Sequence, residues 1–149
     1  MKRVIAFLLL AMVLCFVGCS APSEERTTLE QKEALNVYDD ENISVDFIKA
    51  SDSIVAGNFD LYLKVQNKTD KSITVSLKDV TINDSMVQVG SGVPCNLIAG
   101  ASRTHGWFGR LDLAGVTSAD EINKITFKVW LVDEEYNTIM TTEDLEVIK

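Results

Sequence analysis

Apolar and polar residues alternate along most of the chain after Asn42. Ile43, Val45 and Phe47 alternate with polar neighbours in "ISVDFIKA". In "NFDLYLKVQ", Phe59, Leu61, Leu63 and Val65 point one way, and Asp60, Tyr62 and Lys64 point the other. "SITVSLKDVTI" begins on one parity with Ile73, Val75 and Leu77 and continues on the other with Val80 and Ile82, which predicts a bulge near Lys78-Asp79. "KITFKVWLV" puts Ile125, Phe127, Val129 and Leu131 on one face. A period of two marks strands with one face buried and one wet.

The separators are turn-formers. "NKTDK" at 67–71 reads as a hairpin connection and Asn83-Asp84 as a tight two-residue turn. "GSG" at 90–92, "AGA" at 99–101 and "DEEYN" at 133–137 are further breaks. "SADEIN" at 118–123 allows one turn of helix, with Ser118 as its N-cap. Seven or eight short strands with almost no helix predict an all-β chain folded as an antiparallel β-sandwich over residues 43–149.

The pattern before residue 43 is different. Met1-Lys2-Arg3 is basic, and Val4 to Gly18 are all apolar or glycine. The run is shorter than the about 20 residues that span a bilayer. A basic start, a short apolar stretch and small residues at its end predict a secretory signal peptide over 1–18. Phe16-Val17-Gly18-Cys19 resembles the lipobox of bacterial lipoproteins, with Phe16 where leucine is usual. The resemblance implies cleavage between Gly18 and Cys19, acylation of Cys19, and a protein held in membrane lipid on the extracytoplasmic face of the cell membrane. Residues 19–42 are polar and carry Pro22 and many charges, which predicts a flexible tether.

Charge and cysteine count narrow the classes. The formal net charge of −8 opposes binding to nucleic acid or anionic lipid head groups. With Cys15 in the leader and Cys19 acylated, Cys95 alone remains, so no disulfide framework is expected. His105 is the only histidine, so neither a multi-histidine metal site nor a bound cofactor is expected.

"LYLKVQNKTDKSITV", "VTIND", "IAGASRT" and "DLAGVTSADEINKITFKVWLVD" together resemble the immunoglobulin-like β-sandwich lipoproteins of Gram-positive, Clostridia-type bacteria. That resemblance covers most of the mature chain and implies an immunoglobulin-like sandwich. The family is largely of unknown function, so no activity comes with it.

No phosphate loop or nucleophile elbow is present. If Phe108 packs inward in "RTHGWFGRL", then His105 and Trp107 face outward. Parity also puts Tyr62 and Trp130 on wet faces. Tyr62, His105, Trp107 and Trp130 are therefore the candidate binding surface: filler on a sheet face, or an aromatic platform for an envelope protein or glycan. The expected function is non-enzymatic binding. The alternative is a small envelope hydrolase using acids such as Glu134 or Asp112.

Overall fold

A computed structural model describes residues 28–149 of the chain. The expected signal peptide, its Gly18–Cys19 cleavage point and the first part of the tether lie outside the described residues. The described chain is all-β. Eleven strands run in order: β1 Thr28–Asp39, β2 Ile43–Asp52, β3 Asn58–Asn67, β4 Ile73–Ile82, β5 Ser85–Met86, β6 Val89–Gly90, β7 Cys95–Leu97, β8 Ser102–Arg110, β9 Lys124–Val132, β10 Thr138–Thr141 and β11 Leu145–Ile148. The count exceeds the expected seven or eight because β5, β6 and β7 are two or three residues long. Strands that short cannot display a period.

The strands form two antiparallel sheets of a β-sandwich. The first is ordered β1-β2-β3-β8-β6. The second is ordered β10-β9-β4-β5, with β11 also on β9 and β7 also on β4. Between the sheets lie the side chains that the alternation selected. Phe47, Phe59 and Phe127 are fully buried there, and Ile43, Leu61, Leu63, Ile82, Ile125 and Leu131 complete the same layer. Side chains of this size bury well over a hundred square ångströms each and dominate such cores.

The predicted bulge is present: pairing of β4 with β9 slips between Lys78 and Thr81, and Asp79 adopts φ 50°. The slip moves Val80 and Ile82 onto the inward parity, where both are buried. Asn83 and Asp84 take φ 48° and 67°, the left-handed pair of a tight hairpin turn, between the paired residues Ile82 and Ser85. The Asn83 amide also fastens that turn to the next crossover. Its Nδ2 donates to the Glu121 carbonyl at 2.8 Å, and its Oδ1 accepts from the Asn123 and Lys124 amides at 2.9 and 3.1 Å.

Three expectations are corrected. First, the sandwich includes Thr28–Asp39, so most of the described part of the segment expected as tether to Asn42 is the edge strand β1, paired along β2 from Thr28↔Ser51 to Asp39↔Ser44. Its composition is polar because it is an edge, and pairing holds it more than burial does. Asn36 Nδ2 donates to Asp46 Oδ1 at 2.8 Å and to Ser44 Oγ at 3.1 Å, while Val37 and Tyr38 rest against the core. Second, residues 68–72 carry the chain from the first sheet to the second, so this is a sheet-crossing corner and not a hairpin. Third, Ala119–Glu121 is a single 3₁₀ turn without a side-chain cap from Ser118; the Glu121 carboxylate instead accepts from the Thr117 amide at 3.0 Å and the Thr117 hydroxyl at 2.7 Å.

The sandwich has two distinct ends. Thr28, the β2–β3 turn at 53–57, Arg110 and the 3₁₀ turns Asp112–Ala114 and Ala119–Glu121 share one end: Asn58 pairs with Arg110, the Leu111 amide donates to the Gly57 carbonyl at 2.8 Å, and the Ala119 amide donates to Asp52 Oδ1 at 2.6 Å. The corner 68–72, the segment 96–101 and the turn 133–137 share the other, where Ile43 pairs with Asn67, Ile73 with Leu97 and Thr74 with Val132.

Candidate functional site

The four candidate surface residues do not form one surface. In the antiparallel pairing of β3 with β8, Leu63 is opposite His105 and Leu61 is opposite Trp107. Opposed residues share a face. Leu61 and Leu63 point into the core, so His105 and Trp107 do too, and both are buried. Phe108 is outward and 45% exposed, the reverse of the expected parity. Tyr62 and Trp130 are half-buried on outer faces, as expected, but on opposite sheets and therefore on opposite sides of the sandwich. Each ring is covered by a lysine, Lys49 Nζ 5.3 Å from the Tyr62 centroid and Lys78 Nζ 3.6 Å from that of Trp130. Trp130 Nε1 also donates to Thr138 Oγ1 at 3.0 Å. This is the cross-strand filler arrangement, not an aromatic platform.

The buried groups are also arranged for packing. His105 meets Trp107 edge to face at 4.6 Å, and its Nε2 has no partner among the described residues. Burial pushes the imidazole pKa down, Arg103 adds to that, and the Val93 backbone offsets part of it. Burial pushes the Cys95 thiol up to about 11, which leaves it protonated and inert as a nucleophile. No hydrogen bond joins the two side chains. Among the described residues, no group of three His, Cys, Asp or Glu side chains could hold a metal ion.

The alternation does not show a groove of about 570 Å³ at the end of the sandwich opposite Thr28. It lies over β4 and β7, between the 91–98 segment and the 133–137 turn. Its lining is rich in hydroxyls, with Ser72, Thr74, Ser76 and Ser91, and includes the Asn96 carboxamide, whose Oδ1 accepts from the Thr74 hydroxyl at 2.9 Å. The rim holds Glu134 and the ring of Tyr136, which is 80% exposed.

Two asparagine and aspartate networks fix the walls. Asn67 is fully buried. Its Nδ2 donates to the carbonyls of Lys71 at 2.7 Å, Ile98 at 3.1 Å and Leu97 at 3.2 Å; its Oδ1 accepts from the Thr69 amide and hydroxyl. One side chain thus ties the corner to the 96–98 segment. Opposite, Asp133 Oδ1 accepts from the amides of Asn137 at 2.8 Å and Glu135 at 2.9 Å, and Oδ2 from Asn137 Nδ2 at 3.1 Å. The Asn137 backbone and side-chain donors hold the Asp133 carboxyl below the usual carboxylate range. The turn forces Tyr136 to φ 63°, a left-handed conformation that a bulky residue rarely adopts, and presents its ring to solvent. Among the described residues, Glu134 makes no side-chain hydrogen bond.

Two acids, Asp133 and Glu134, line the groove. Asp133 is committed to its own turn, and Asp112 is ion-paired with Arg110 at the far end of the domain. A glycosidase-type pair needs two carboxyl groups flanking one bond.

No protein-family description matches the chain, and no curated protein does. Among solved structures, the chain is similar to a FixG-related protein from Vibrio parahaemolyticus, with 18% identity, a TM-score of 0.37, and coverage of 74% of this chain and 98% of that one.

Proposed function

We propose that this protein is a lipid-anchored, extracytoplasmic envelope protein whose β-sandwich binds a hydroxyl-rich or amine-bearing ligand, such as a wall glycan, in the groove beside Tyr136 and Glu134. One observation carries the reading: the groove lies at the end of the sandwich opposite Thr28, where the chain arrives from Cys19. A protein anchored through Cys19 would present that groove away from the membrane. The lining suits the ligand class. Hydroxyls and the Asn96 amide both donate and accept, Glu134 supplies a carboxylate acceptor, and an exposed ring offers a stacking face. We read its role as non-enzymatic because, of the two acids lining the groove, Asp133 is held by the amides of its own turn.

The anchor is tested by labelling cells with a fatty acid. Wild-type protein should take up label, and Cys19→Ser should lose it and persist as uncleaved precursor; full labelling of the variant would refute acylation at Cys19. The groove is tested by titrating the protein with wall glycan fragments. Tyr136→Ala and Glu134→Gln should each weaken binding at unchanged stability, and equal affinity in both would remove the groove from consideration.

A further inference from the structure

We infer that the end of the sandwich opposite the groove is a membrane-contact tip, which seats the anchored domain against the bilayer. The inference rests on the lipid-anchor reading above and adds a second contact to it. Hairpin turns are ordinarily polar, but the β2–β3 turn reads Ser53-Ile54-Val55-Ala56-Gly57. Ile54 is 82% exposed and Val55 is 61% exposed. The turn is joined through the Gly57 carbonyl to Leu111, next to the Asp112–Ala114 3₁₀ turn, where Leu113 is also exposed. Two separate segments thus bring three exposed apolar side chains to one end, and grouped apolar exposure of this kind marks a contact surface.

The occupant follows from where the chain enters. Only eight residues, Ser20–Thr27, separate Cys19 from Thr28. They reach at most about 28 Å even when fully extended. Thr28 pairs with Ser51, three residues before Ile54, so the tip and the entry point of the tether lie on the same side. An acyl chain on Cys19 would therefore hold Ile54, Val55 and Leu113 within reach of the lipid interface, where exposed apolar side chains bury a few ångströms deep. The neighbouring cations are engaged within the protein: Arg110 is paired with Asp112, Lys124 with Asp84, and Lys149 Nζ donates to the Asp120 carbonyl at 2.8 Å. Contact is apolar and should be insensitive to salt.

The test uses the full acylated chain in phosphatidylcholine vesicles, with an environment-sensitive fluorophore on Val55→Cys or, separately, on Glu135→Cys at the groove end. The probe at 55 should shift to the blue and lose most of its emission to nitroxide-labelled lipid, in low and high salt alike, while the probe at 135 stays wet and unquenched. Ile54→Ser with Leu113→Ser should abolish the shift at 55 with the melting temperature unchanged. Protein that floats with vesicles while both probes stay wet would overturn the tip and leave the anchor standing. Protein that carries no acyl chain and does not float would overturn both. A blue shift without quenching by lipid nitroxide would mean a second copy covers the tip, and would overturn the membrane assignment.

Discussion

Gly109 faces Phe59 across β8 and β3, so closely that a methyl group on Gly109 would stand 2.6 Å from Phe59 Cε1 and 3.1 Å from Val89 Cγ2. The Phe59 ring fills the volume that a side chain on β8 would take. On the outer face of the same strand, Gly106 gives its space to Tyr62, whose Cε1 is 3.0 Å from the corresponding position. Gly109→Ala must push a fully buried ring, and overpacking of this kind costs about 1–3 kcal/mol. Chemical denaturation should show that loss, and a Phe59→Leu background should recover part of it. A Gly109→Ala variant as stable as wild type would mean that Phe59 has room to move.

The face reversal in β8 gives a sharper contrast. Trp107 is buried beside Leu61 and Phe108 is exposed beside Asp60. Trp107→Ala should destabilise by about 3–5 kcal/mol, and Phe108→Ala by less than about 1 kcal/mol. Acrylamide should quench Trp130 and leave Trp107 dark to it, so Trp130→Phe should yield a protein whose emission resists the quencher. Strong quenching in that variant would place Trp107 at the surface.

Asn67 is expected to matter more than any lining residue for the shape of the groove. Asn67→Ala leaves the Lys71, Leu97 and Ile98 carbonyls without their donor at a buried site, at a cost of about 1–3 kcal/mol. Asn67→Asp should cost at least as much, because a carboxylate offers only acceptors to those carbonyls. Amide exchange should speed up in residues 96–101 of either variant before it does in β9. Uniform exchange behaviour would show that the corner is held by other contacts.

His105 should make stability depend on pH in a defined window. Burial holds its folded pKa below the ordinary 6.5. The unfolded chain therefore binds a proton that the folded chain refuses, and stability is complete above about pH 6.5 and falls as the pH drops below it. The slope is at most about 1.4 kcal/mol per pH unit. Asp133 acts lower down: its folded pKa lies below 3.8, so its contribution is lost only as the pH falls from there. His105→Phe should flatten the melting curve between about pH 6.5 and 5 and leave the more acidic limb intact. An unchanged slope in that variant would assign the dependence to other groups.

The sequence by itself determined the class of fold and the faces of β2, β3, β4 and β9, because in those strands one parity is uniformly apolar and only one face can be buried. It also placed the bulge at Asp79 and the tight turn at Asn83-Asp84, where local chemistry decides the backbone. Other features were settled only by the tertiary structure. In β8 both parities offer an aromatic and a glycine, so the inward face is set by register against β3, a contact between residues some 40 positions apart. β1 reads as polar linker because an edge strand is held by a neighbour's backbone and not by its own hydrophobicity. The groove is built from three separated segments, and Asn67, which binds two of them, looks in sequence like any turn asparagine. Local alternation records which side of a strand is wet; which strands meet, and what space their corners enclose, is decided by long-range pairing that no single window of the chain contains.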